Sequence, residues 1–250
     1  MLRMLKELDQ LLRGELTQSE ALSGATGGLE SRFSLRRFLP MAVGLGAIYG
    51  FFMGWYAVAL NWGDATNKGW SQLVAGMIKL PALFLLTLLV TFPSLYVFSA
   101  LVGARLGFLA VVRLLVAAIV VNLAVAASLG TILGFFTLST TSYPFIVVLN
   151  VVLLGIAGIA GLGFLLRALR KLQSAASLAD RETPGTPQVN PADTIFYLWL
   201  IIYSLVGMQM GWLLRPFIGH PNAAFEWFRN REGNFFQGLF ENIHRLVGGS

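Results

Sequence analysis

Four polar side chains interrupt the long apolar runs of this 250-residue chain: Arg113, Asn122, Asn150 and Gln209. Arg215 closes the last run. A guanidinium offers donors in a fixed fork that suits an anion. Arg113 and Arg215 fall near opposite ends of the apolar region, so they would not share one site. The three amides need partners away from water. If they converge, they line a polar path for a small solute or an anion. If each pairs with a neighbouring hydroxyl or carbonyl, the core is dry. No Asp or Glu occurs in residues 79–171 or 194–218. Proton- and cation-coupled carriers usually place a carboxylate in the membrane to hold the ion, so the composition argues against such coupling.

The rest of the reactive inventory is short. His220 and His244 lie in the final segment and, with Glu226 or Glu241, have the types of a metal set. A lone surface histidine is the commoner case, so no metal site is expected. The apolar runs hold no histidine, which excludes bis-His haem or chlorophyll ligation within them. The chain has no cysteine, which excludes disulfides, a thiolate nucleophile and Cys-ligated zinc or iron–sulfur sites. No G-x-S-x-G elbow and no phosphate loop is present. No catalytic residue and no cofactor is expected, and the chain does not read as an enzyme.

Composition explains the sparse chemistry. Hydrophobic residues make up 56% of the chain and charged residues 12%, against about 25% charged in soluble domains. The mean hydropathy is +0.71. A soluble fold cannot cover so much apolar surface, so the expected solvent is lipid. The net charge of +6 resides largely in Lys and Arg flanking the apolar runs. That is the pattern that orients a membrane protein. No basic stripe with interleaved aromatics points to nucleic acid.

The expected fold is all-α: a polytopic transmembrane bundle of five spans, with amphipathic helices at both termini. The spans are placed at 38–60, 80–102, 108–138, 145–169 and 194–218, each long enough for a hydrocarbon core of about 30 Å. Pro81 falls in the expected first turn of span two, and Pro93 lies inside it. Span three is long and is read as one helix that tilts or projects, or as two that break near Gly130. Small residues recur four apart at Gly46, Gly50 and Gly54, at Gly130 and Gly134, and at Gly207 and Gly211. Gly155 and Gly158 lighten span four. Such faces let helices approach closely. Gln209 is expected to be buried by its position.

Residues 1–37 are read as a cytoplasmic amphipathic helix, with Leu2, Leu5, Leu8 and Leu12 at helical spacing, followed by a linker. Residues 61–78 are read as a polar loop, with a short interfacial helix over 70–78. Residues 173–191 are read as a flexible loop. Residues 219–250 form an outer-face tail in which Phe235, Phe236, Leu239, Phe240 and Ile243 recur at helical spacing opposite Glu241, His244 and Arg245. Their apolar face docks either on lipid or on a partner.

Positive residues set the orientation. An inside N-terminus puts Arg32, Arg36, Arg37, Arg105, Arg113, Arg167, Arg170, Lys171 and Arg181 on the cytoplasmic side. The expected location is a bacterial inner membrane, N-terminus inside and C-terminus outside.

Five spans, and the basic turn Gly103-Ala104-Arg105-Leu106-Gly107-Phe108 followed by Arg113, resemble the Yip-family membrane proteins and their bacterial relatives. The runs at 91–96 and 210–219 resemble uncharacterised bacterial inner-membrane proteins. These resemblances imply a membrane organiser without a reaction of its own. The expected function is a subunit, scaffold or anchor, with the lipid bilayer and other subunits or further copies as partners. The alternative is a small-solute or anion transporter or channel.

Overall fold

The computed structural model describes residues 2–13, 34–61, 68–101, 108–179, 191–219, 225–228 and 233–248. Among these residues there are seven helices and no strand. They are α1 (Leu2–Leu12), α2 (Leu35–Leu60), α3 (Lys68–Leu101), α4 (Phe108–Ser139), α5 (Tyr143–Ala179), α6 (Pro191–Leu213) and α7 (Phe235–Val247). Helices are the natural outcome for such runs, because a helix satisfies its own backbone where water cannot. Four stretches are long and apolar enough to cross a membrane: Leu35–Leu60, Lys68–Ser94, Val111–Ser139 and Tyr143–Ala168. The described apolar part of α6, Tyr197–Leu213, is shorter.

The long helices pack in the lateral order α6, α3, α2, α4, α5. α2 and α3 are antiparallel and meet along a seam of small residues. Gly46 lies on Pro81, Gly50 on Gly76, Gly54 on Leu73, and Gly69 on Val58. α4 runs parallel to α2, and its Gly130 and Gly134 receive the ring of Phe52. The Tyr56 hydroxyl donates to the Thr141 carbonyl at 2.8 Å and pins the α4–α5 turn to the end of α2. α5 turns back so that Gly161 rests on Ala118 and Asn122. α6 lies along α3, where Trp199 Nε1 donates to the Thr91 carbonyl at 3.0 Å.

Several boundaries differ from the sequence expectation. α3 starts at Lys68, so 70–78 is part of the long helix and not a separate interfacial one. Gly69 and Gly76 hold that part against α2, which is why it stays helical. Pro81 is therefore interior. It removes one backbone donor, and it fits because it faces Gly46, which has no side chain. α3 continues through Pro93, with Thr87 and Thr91 hydroxyls each donating 2.7 Å to carbonyls one turn back. α4 is one unbroken helix. α5 continues to Ala179, so the first part of the 173–191 loop is helical. α6 ends at Leu213 instead of reaching 218. Pro216 lacks an N–H, and its ring disfavours helical geometry at Arg215.

α1 lies alongside the bundle. Glu7 pairs with Arg37 of α2. Leu8 and Leu12 face Leu45, Ala124 and Val125 across a pocket of about 330 Å³ between α1, α2 and α4. α7 opens with a capping box, in which Asn234 Oδ1 accepts from the Gln237 N–H at 3.0 Å and Gln237 Oε1 accepts from the Asn234 N–H at 3.1 Å. It packs against α5 and the C-terminal end of α6. The linker, Arg32, Arg105, Arg181 and His220 lie outside the described residues.

Candidate functional site

The three amides do not meet. Asn150 on α5 is 8% exposed, and its Oδ1 accepts the buried Tyr49 hydroxyl of α2 at 2.9 Å. Asn122 on α4 lies opposite Gly161. Gly161 and Asn150 are eleven residues apart on α5, which is about 16 Å along the axis at about 1.5 Å per residue. Asn122 Oδ1 is buried with no hydrogen-bond partner among the described residues. Gln209 is exposed, contrary to its expected burial. Among the long helices, α6 packs chiefly on α3. Most of its circumference therefore points away from the bundle, and Gln209 falls on that side.

The two arginines are also apart. Arg113 is half-buried near the start of α4. Arg215 follows the end of α6, nearer the other end of the bundle, with its guanidinium 3.7 Å from the centre of the Trp212 ring. That contact is a cation–π pair.

The glycines divide into three groups. Gly46, Gly50, Gly54, Gly130 and Gly134 are all in close contact with α2, α3 or Phe52, as described above. Gly207 and Gly211 make ordinary contacts with Thr87 and Leu83 of α3. Gly155 and Gly158 face open space, with nothing within 4 Å of where a side chain would begin.

The tail splits as well. Phe235 and Leu239 are half-buried, and Gly238 is buried against Trp212. Phe236, Phe240 and Ile243 are exposed, together with Leu246 and Val247. The apolar arc is thus covered by the chain itself only in part. His244 is exposed beside Phe240. Among the described residues no cluster of His, Asp or Glu could hold a metal.

Two residues with clear chemistry escape the sequence argument. Gln72 and Lys79 on α3 are each 3% exposed. Gln72 Nε2 donates to the Pro216 and Phe217 carbonyls, both at 2.9 Å. Lys79 Nζ donates to the Pro216 carbonyl at 3.2 Å and to the Trp227 carbonyl, and it lies 5.1 Å from the centre of the Phe228 ring. Lys79 looks in sequence like a flanking charge, because it directly precedes an apolar run. The signal available was the aromatic run Phe225–Phe228, which could shield a buried ammonium.

No family model matches the chain, and no curated protein or solved structure does.

The Tyr49–Asn150 bond yields a direct test. Tyr49→Phe strands a buried amide oxygen, so it is expected to cost about 1–2 kcal/mol of stability. Thermal unfolding of the purified protein in detergent measures it. Asn150→Leu, which removes the stranded group as well, should recover part of the loss in the Tyr49→Phe background.

Proposed function

We propose that the chain is a non-enzymatic integral membrane protein of five crossings that acts as a subunit, scaffold or anchor of a membrane assembly. The observation that carries this reading is the fate of the buried polar groups. Asn150 is bonded to Tyr49, Thr87 and Thr91 to their own helix, and Gln72 and Lys79 to carbonyls beyond α6. A transported solute would need such groups free and facing a common path. Among the described residues the Asn122 oxygen has no hydrogen-bond partner, and one oxygen makes no path.

Orientation follows from where the basic residues gather. Arg36 and Arg37 open α2, Arg113 lies near the start of α4, and Arg167 lies in the later part of α5. The antiparallel and parallel pairings put all of these at one end of the bundle. That end is the cytoplasmic one by the positive-inside rule. The tail is then on the outer face of a bacterial inner membrane. The surface offered to a partner is the outward stripe of α7, with Phe236 half exposed and Phe240 70% exposed.

Native mass spectrometry after mild-detergent purification tests the reading. The expected result is an assembly of fixed stoichiometry, which falls apart when Phe236 and Phe240 are both changed to Ser. The unfolding temperature should stay unchanged, because neither ring is buried in the chain itself. A monomer that drives solute or anion flux in liposomes would overturn it.

A further inference from the structure

α6 stops well short of the far end of its neighbour. Its last turns lie beside Leu83, since Gly211 contacts that residue, and Leu83 is near the middle of the Lys68–Ser94 stretch of α3. Beyond Leu213 the chain leaves the helix, yet it stays in the bundle. Leu214, Pro216 and Ile218 are buried. Gly219 reaches Gln72 and Ala57, near the ends of α3 and α2. Non-helical backbone at membrane depth has carbonyls without helix partners, and it is tolerated only where protein covers and satisfies them. Here the donors are Gln72 and Lys79.

Lys79 also needs a counter-charge. Among the described residues no carboxylate pairs with it. A helix C-terminus carries about half a negative charge. Lys79 is bonded to a carbonyl three residues past the end of α6 and faces the rings of Trp227 and Phe228. We infer that α6 is a partial crossing whose outer part is completed by a non-helical strap of residues 214–219 and 225–228, and that Lys79, assisted by Gln72, latches this strap to α3. The inference rests on the membrane reading above. It gives Lys79 a positioning role: the latch holds the strap against α3.

The chain has no cysteine, so single cysteines report cleanly. The experiment uses the full-length protein in liposomes and a membrane-impermeant maleimide. Phe217→Cys, on the strap, should label slowly in the otherwise native chain. Adding Lys79→Met should raise the rate at least tenfold, and Lys79→Arg, which keeps the charge and donors, should restore protection. Gln72→Leu should give a smaller rise, and it carries the test if Lys79→Met does not fold. Native-like rates in both the Lys79→Met and Gln72→Leu backgrounds would overturn the latch, as would fast labelling of Phe217→Cys with Lys79 intact. Ile156→Cys, on the outward side of α5, must stay unlabelled throughout. Fast labelling there would sink the membrane reading itself, whereas fast labelling at 217 alone sinks only the strap.

Discussion

Gly50→Leu yields no monodisperse protein, and Gly50→Ala lowers stability by about 2–3 kcal/mol, at the upper end of the cost of overpacking. The reason is what lies opposite. A side chain at Gly50 would run into the backbone carbonyl of Gly76 and come within 2.9 Å of Met77 Cα. These are main-chain atoms of a packed helix and cannot rotate away, so α2 and α3 must separate. Separation also opens the contacts of Gly46 with Pro81 and of Gly54 with Leu73. Gly155→Leu is the matched control. The first carbon it adds meets nothing within 4 Å, and the change leaves the unfolding temperature of the isolated chain unchanged. Size-exclusion profiles and thermal unfolding in detergent read both. Equal behaviour of the Gly50 and Gly155 variants would contradict the packing described.

Gly238→Leu releases the tail helix while leaving the bundle folded. Gly238 is buried directly against the indole of Trp212, so any added carbon enters the ring. The same indole donates to the Gly233 carbonyl at 3.1 Å, so pushing it aside also breaks the bond that fixes the start of α7. Limited proteolysis should remove the tail about tenfold faster, the ratio expected for a loss of about 1.4 kcal/mol in docking. Phe240→Ser should not change the cleavage rate, because Phe240 points away from the bundle. An intact tail in Gly238→Leu would show that Trp212 does not hold it.

These contrasts show what could be read from residues alone. The apolar runs announced the long helices, because a helix satisfies its own backbone in such a setting and a closed barrel would need alternating segments instead. A four-residue glycine spacing announced a smooth face, but it carries no information about the neighbour. Gly50 and Gly155 look alike in sequence, and only Gly50 has a helix against it. Gln209 shows the same limit. Its place inside an apolar run was legible, but its direction depends on α6 packing chiefly on one long helix. Gln72 falls within the segment that reads as a loop and Lys79 looks like a flanking charge, because loop rules weigh local polarity. Their partners are backbone carbonyls more than 130 positions away. The end of α6 was marked by Pro216, yet the boundary fell earlier because the residue before a proline also resists helical geometry.

The most direct test of the account asks whether the two ends of the chain lie on opposite sides of the membrane. Five crossings require it, and α6, whose last turns lie beside the middle of α3, is the crossing at stake. Ser31→Cys and Ser250→Cys are expressed separately in the cysteine-free background and treated with an impermeant maleimide before and after the cells are opened. The account predicts that Ser250→Cys labels in intact cells and that Ser31→Cys labels only after opening. Labelling of both from the same side would mean an even number of crossings, and α6 with its strap would not span the membrane.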